Sequence, residues 1–330
     1  MSKGVKLVKP ASYAALIILL FLIPGFIKEE YALHLLILVG INIILTSSLR
    51  TIASTGLFSL AHAGFMAVGA YTSALLVTKS GLSSWAALPL GGIAAALLAL
   101  LIGYPFVRVK RAYFAMLTLF TGEVIRLILV EWRGLTGGSM GLLNIPPPNP
   151  LVIPGLLNIT FNSRTPYYYY ILVLVLITLL FLYRIERTRV GETFLAIQQV
   201  DSIAASVGID IAWFKVLALC VGCFFAGIAG SFYTHYTLIV TPTSFGILQS
   251  TYIIIYMTVG GRGRFSGPIW GALILTLIPE VFRIFQAYQP FVFVAALFLV
   301  IFFLPGGLVG LTERVRSQIR KLWKGTLTNA

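Results

Sequence analysis

Charge is the scarcest property of this 330-residue chain: Asp, Glu, Lys and Arg together make up 10% of it. A water-soluble domain of ordinary composition carries about 25%. Acidic residues are the rarer sign, ten against 24 Lys and Arg, and only three histidines and two cysteines occur. Each shortage excludes a chemistry. His34, His62 and His235 fall in separate segments without ligand spacing, and no H-E-x-x-H is present, so no metal site is expected. No G-x-x-x-x-G-K-[ST] loop is available to cradle a nucleotide phosphate. Cys220 and Cys223 form a lone C-x-x-C, which is half a zinc site. Three residues apart on a helix they share a face, and small packing residues are the plainer reading. Nothing here supports an enzyme.

Apolar residues are what the chain has in excess: 58% are hydrophobic and the mean hydropathy is +0.96. That is more than one water-soluble core can hide, and long runs rather than short alternating ones carry it. The expected class is all-α, a polytopic membrane protein and not a β-barrel. Runs near the ~20 residues that cross a bilayer place about ten spans at 11–27, 31–50, 56–78, 85–107, 112–131, 166–183, 212–235, 246–260, 266–286 and 289–305. The eighth and tenth are short, which is read as tilting, a break or re-entry. The first run ends in PGFIKEE without a small-x-small cleavage site, so an uncleaved span is expected rather than a signal peptide.

The net charge of +14 is informative through its distribution. Alternating ten spans from a cytoplasmic N-terminus puts Lys3, Lys6, Lys9, Arg50, Arg108, Lys110, Arg111, Arg184, Arg187, Arg189, Lys215, Arg262, Arg264 and five basic tail residues inside. Only Lys28, Lys79, Arg133 and Arg164 fall outside. This asymmetry orients the chain with both termini cytoplasmic. The basic tail at 312–330 reads as a topological anchor at the lipid bilayer, and no nucleic-acid partner is expected.

Two connections are long enough to have jobs. The external loop 132–165 is rich in Gly and Pro, which allows turns and a short lid but no long helix. The inner connection 184–211 is polar, and Glu192–Val207 reads as one or two short helices outside the bilayer. Within it, DSIAASVG at 201–208 is a short amphipathic patch ending in Gly208. Ala204 and Gly208 offer small contact residues, and a helix that stops at glycine can turn sharply back to the membrane. That is the shape of a docking element for a cytoplasmic motor; a plain solvated loop is the alternative.

Inside the spans, Glu123 and Arg126 stand near mid-membrane, where charge is expensive. Their spacing lets them pair on one helix face. Either they form a polar wall of a pathway or pin of a helix, or they satisfy each other. The stretch GLFSLAHAGFMAVGAYTSALL, 56–76, raises a related question. Gly64, Ala67, Gly69, Ala70 and Ser73 recur every three to four residues, a pattern that allows close helix approach or backbone lining a cavity. Ser54, Thr55 and Gly56 favour a break before it, so part of 54–64 is expected to be re-entrant. His62 at that point is either a packing residue or part of the route.

These segments resemble, in order and spacing, the permease subunits of branched-chain amino acid ABC importers, a type paired with a second, related permease. The resemblance rests on GLFSLAHAGFMAVGAYTSALL, on YFAMLTLFTGEVIRLIL with the following LTGGSMGLLNIPPP, on GETFLAIQQVDSIAASVGID, on FAGIAGSFYTHY and on MTVGGRGRFSGPIWGALIL. It covers almost the whole chain. The third of these resembles the family's coupling loop, with Ser202 and Ile203 where the general pattern has Glu and Ala. The resemblance implies half of a translocation pathway for Leu, Ile or Val across the plasma membrane. It implies two cytoplasmic ATPase subunits, which use ATP-Mg while this chain binds no cofactor, and an extracytoplasmic solute-binding protein. Coupling to the ATPase would fall on Asp201, Ser202, Ala204, Ala205 and Gly208. Candidate pathway or packing residues are His62, Gly64, Gly69, Glu123 and Arg126. Urea, short amides or other amino acids are alternative cargoes, and an ion-coupled secondary transporter is the alternative of another class.

Overall fold

The computed structural model of the chain describes residues 18–26, 29–109, 111–153 and 157–281. The expected tenth span, the 312–330 tail, much of the first span and both termini lie outside the described residues. Those described are helical: α1 (18–26), α2 (Glu30–Ala53), α3 (His62–Ser80), α4 (Ser84–Phe106), α5 (Arg111–Glu131), α6 (Arg133–Thr136), α7 (Arg164–Glu186), α8 (Arg189–Gln199), α9 (Asp201–Ser206), α10 (Ile211–Thr237), α11 (Ile247–Gly260) and α12 (Gly267–Val281). Among the described residues the one sheet is a three-residue antiparallel pairing in the connection between α6 and α7, β1 (Leu151–Ile153) with β2 (Leu157–Ile159).

Five of the described helices are long and apolar enough to cross a membrane: Glu30–Ala53, Ser84–Phe106, Ala112–Glu131, Arg164–Glu186 and Ile211–Thr237. Their outward faces are apolar. On α4 Leu90, Ile93, Leu97, Leu100 and Leu101 are exposed, and on α7 Val173, Ile177, Leu180 and Phe181 are. In water such stripes would be adhesive patches far larger than a soluble monomer carries; against lipid they are the ordinary solvent-facing surface. The chain is a multi-pass membrane protein.

Helix α10 is the hub, packed on α2, α3 and α4. Lipid tails are as apolar as leucine, so burial of apolar area does not drive these helices together. Close packing does, and close packing requires small residues. At the centre, Gly69 of α3 lies directly against the Gly227 backbone of α10. A Cβ added at Gly227 would stand 2.9 Å from the Gly92 Cα and 2.8 Å from the Ala95 Cβ, both on α4. The Ser231 hydroxyl, in the same seam, is 2.9 Å from the Gly227 carbonyl and 3.1 Å from that of Gly69. Farther along α10, a Cβ at Gly222 would come within 2.6 Å of Ile52 of α2. The C-x-x-C cysteines sit in this same stretch as free thiols, Cys223 buried and Cys220 partly so.

The remaining layers fasten to this hub by polar contacts. Asn42 of α2 donates to the Thr276 hydroxyl of α12 at 3.0 Å, and Thr46 to the Pro268 carbonyl at 3.3 Å. Helices α11 and α12 form a tight antiparallel hairpin through Gly260 and Gly271, where a Cβ on Gly271 would meet the Gly260 Cα at 2.9 Å. The connection between α6 and α7 folds back over helix ends. Leu142 and Val240 exchange two backbone bonds of 3.0 Å, and Asn149 is held by Ser84 and Trp85 at the start of α4. His235 reaches the Pro146 carbonyl through Nδ1 (3.0 Å) and Ser73 through Nε2 (2.9 Å).

Filling the central seam has a measurable cost. Gly227→Ala is expected to lower stability by about 1–3 kcal/mol through overpacking, read as a drop in thermal unfolding midpoint of the detergent-purified protein. Gly263→Ala, where an added Cβ meets nothing within 4 Å, is the control and should leave the midpoint in place.

Candidate functional site

Two regions gather the residues singled out from sequence. The first is the break between α2 and α3. Span three was expected to begin at 56, but the helix starts at His62, and 54–61 is irregular, with Gly56 in the left-handed region at φ 81°. The first turn of any helix leaves N–H groups without intrahelical partners. Here neighbouring helices supply them: Leu60 N donates to the Thr118 hydroxyl of α5 and Ala63 N to the Ser250 hydroxyl of α11, both at 3.1 Å. Irregular backbone inside a membrane protein is tolerated when protein covers it in this way. The Gly64 position has room only for hydrogen, since a Cβ would stand 2.9 Å from the Gly122 Cα. Gly122 lies eleven residues into α5, about 16 Å along a helix that rises ~1.5 Å per residue, so α3 begins near the middle of the span.

His62 is wholly buried, with Nε2 2.9 Å from the Ser48 hydroxyl of α2. That hydroxyl is 3.0 Å from the Leu45 carbonyl. If the hydroxyl donates to the carbonyl, His62 donates to the hydroxyl, and the imidazole pins the start of α3 to the end of α2. Beside the break, Arg126 Nε lies 2.9 and 3.0 Å from the two Glu123 carboxylate oxygens. Both alternatives read from sequence therefore retain content: the two residues do satisfy each other, yet their side chains keep 25% and 29% of their exposure. Helix α5 is the least covered long helix, with Tyr113, Met116, Phe120, Val124, Leu127 and Ile128 all exposed. Gly64 meets Gly122 at the α3–α5 contact close to His62, one residue before Glu123, while the Arg126 side chain passes near Gly246. Gly69 does not join them; it belongs to the central seam with α10.

The second region is the ledge made by α8 and α9. Ala204 is buried against the body, while Ser202, Ala205 and Gly208 are exposed. Asp201 bonds Lys215 at the start of α10 at 2.8 Å. Gly208 takes φ 83°, which ends α9 and turns the chain, and Asp210 caps α10 by accepting from Trp213 N at 3.1 Å. The most exposed apolar groups of α9 and its cap, Ile203 (64%) and Val207 (74%), were not singled out from the sequence.

Sequence reading also missed what holds the ledge. Gly191 of α8 packs on the backbone of Glu186, where a Cβ would stand 2.5 Å from its Cα. Gln198 donates to the Ala53 carbonyl at 3.1 Å. Arg50, counted only as an inner positive charge, forms a two-pronged ion pair with Glu186 at 2.9 and 2.7 Å. A basic residue at the end of an apolar run was the signal, but its partner lies 136 residues away.

The break depends on its borrowed partners. Ser250→Ala removes the acceptor for a buried N–H and is expected to cost about 1–3 kcal/mol. The check is the thermal unfolding midpoint of the purified protein, with Ser250→Thr, which keeps a hydroxyl, closer to the original.

Comparison with known proteins places this architecture. The family described as "Branched-chain amino acid transport system / permease component" matches residues 31–304. The high-affinity branched-chain amino acid transport system permease protein LivM of Salmonella typhimurium is 28% identical over 304 residues, covering 85% of this chain and 68% of that protein. The LivM protein of Escherichia coli is 28% identical over 305 residues with the same coverage. A probable branched-chain amino acid transport permease protein LivM of Methanocaldococcus jannaschii is 22% identical over 238 residues, 66% of each chain. No solved structure matches. The chain belongs to the family of permease components of branched-chain amino acid transport systems.

Proposed function

We propose that this chain is one permease subunit of an ATP-driven importer that carries leucine, isoleucine or valine across the plasma membrane. A second, related permease completes the pathway. Two cytoplasmic ATPase subunits use ATP-Mg, and an extracytoplasmic binding protein delivers the amino acid. Both termini are cytoplasmic, and 132–165 is the external loop. Family membership supports the class, and the cargo follows the relatives' names.

One observation carries the mechanism. The α8–α9 ledge is seated on the body through buried Phe194, Ile197 and Ala204 and the Asp201–Lys215 bond, and it presents Ile203 and Val207 outward. A braced helix with an exposed apolar tip suits a socket on a motor subunit. Closure of the motors would displace the ledge and bias the paired permeases between inward- and outward-open states, a two-state coupling. In this reading Asp201 and Ala204 hold the ledge, and Ser202, Ala205 and Gly208 face the motor. His62 and Gly64 shape the break, and the partly exposed Glu123–Arg126 pair faces the route.

Purified chain, partner permease, ATPases and binding protein reconstituted in vesicles should take up branched-chain amino acids with ATP. Uptake by this chain alone under an ion gradient, without ATP, would instead establish a secondary transporter. Ile203→Asp with Val207→Asp should lower ATP-dependent uptake at least about tenfold, the order expected when central interface contacts are lost. Gly208→Arg should act in the same direction, and unchanged uptake in it would remove the coupling assignment. Glu123→Gln should reduce uptake while the complex still assembles; normal uptake would return the pair to a structural role.

A further inference from the structure

Arg50 occupies the last turn of α2 and is nearly buried, with 8% of its side chain exposed. Its guanidinium makes three kinds of contact with two separate pieces of the protein, the end of α7 and the turn between α11 and α12. Nη1 and Nη2 donate to the two carboxylate oxygens of Glu186, the last residue of α7, at 2.9 and 2.7 Å. Nε donates to the backbone carbonyl of Arg262, in the turn between α11 and α12, at 3.0 Å. The cation also stands 5.7 Å from the ring centroid of Phe265 in that turn, and Phe265 packs edge-on against Tyr183 of α7 at 5.3 Å.

Each contact continues in a definite direction. Toward the cytoplasmic ledge, the Glu186 backbone is the surface on which Gly191 of α8 rests, and Gln198 at the far end of α8 is bonded to Ala53, three residues after Arg50. Arg50 and Glu186 also line one pocket with Phe194 and Leu195 of α8, and Phe194 and Ile197 are buried, so α8 is packed on the body between its two fastened ends. Toward the membrane interior, the Arg262 side chain lies 5.2 Å from the ring centroid of Phe58. Phe58 is part of the irregular stretch 54–61, two residues before Leu60, whose N–H is held by Thr118 of α5.

We propose that Arg50 is a positioning residue for transport: it joins the α8–α9 ledge to the α11–α12 turn, and through Phe58 to the break where α3 begins. The inference rests on the importer reading above. Its physical basis is the shape of the guanidinium. A planar fork grips a carboxylate with two nitrogens and still has a third donor for a carbonyl and a face for a ring. An ammonium is a single point of charge and cannot make these contacts together. Arg50→Lys therefore keeps an ion pair with Glu186 but releases the turn, and Glu186→Gln weakens the grip from the other side.

The test uses the complete importer in vesicles and measures ATP hydrolysis and uptake together, with subunit stoichiometry checked on the purified complex. Residues along a coupling network alter coupling by about 2- to 30-fold. Arg50→Lys is accordingly expected to assemble with unchanged stoichiometry and to hydrolyse ATP, while uptake per ATP falls about tenfold. Glu186→Gln should shift the same ratio in the same direction, and it decides the matter if the Arg50 variant does not assemble. An unchanged ratio in both variants overturns the proposal, as does a parallel loss of hydrolysis and uptake, which would mark Arg50 as structural only. Absence of ATP-dependent uptake in the unsubstituted complex would instead overturn the importer reading.

Discussion

The structure depends on backbone touching backbone where α3, α4 and α10 cross. Gly69, Gly91, Gly92 and Gly227 meet there, with Ser231 bonded to two of their helices. In lipid this contact has to be favourable through dispersion and hydrogen bonding, because moving leucine from tails to protein gains almost nothing. Dispersion falls off over fractions of an ångström, so the seam is stabilising only at its shortest separation. Once α10 is seated, its length carries the rest. Gly222 receives Ile52 of α2, Lys215 reaches Asp201 of the ledge, and His235 holds the α6–α7 connection through Pro146. A small shift at the seam would be felt at both membrane surfaces.

Polar groups are distributed by what can partner them. The break at 54–61 and the first turn of α3 offer backbone N–H groups at mid-height, and the hydroxyls of Thr118 and Ser250 meet those of Leu60 and Ala63. The two-pronged ion pair of Arg50 with Glu186 sits at the C-terminal ends of α2 and α7, where one partner keeps 30% exposure. Removing one member of a pair this buried leaves a charge without compensation, which is costlier than never having built it. The same geometry that secures the bundle therefore also fixes where the ledge can attach.

Much of this was legible in the sequence because it follows from local composition. Long apolar runs marked the membrane helices, and glycine and alanine recurring in 62–73 marked a close contact. Ser54–Gly56 marked the interruption before α3, although the helix begins at His62 rather than 56. The partners were not legible. Nothing near Gly69 in sequence names Gly227, and nothing near Arg50 names Glu186 or Arg262. Gly64 and Gly69 looked equivalent, one stripe on one helix. Five residues is about 1.4 turns, so they point to different neighbours, Gly122 of α5 and Gly227 of α10. Ile203 and Val207 were overlooked for a related reason: small residues drew attention to the ledge, and exposure, which decides what a partner can touch, depends on tertiary packing.

Helix α5 completes the reasoning, because alone it is an unfinished surface. It carries an ion pair about half-way along its length, paired within the helix but still a quarter exposed, on the least covered of the long helices. Hydrocarbon gives such a pair no hydrogen-bond partners, and charged side chains at that depth face protein or water in nearly every membrane protein. The other long helices show no comparable conflict: α4 and α7 present leucine, isoleucine and valine outward. A uniform lipid surround therefore suits α4 and α7 but not α5. The proposal that this subunit forms only half of a pathway removes the conflict. With a second permease opposite α5, the Glu123–Arg126 pair would line a protein-bounded route at the level where α3 begins, instead of being stranded in lipid.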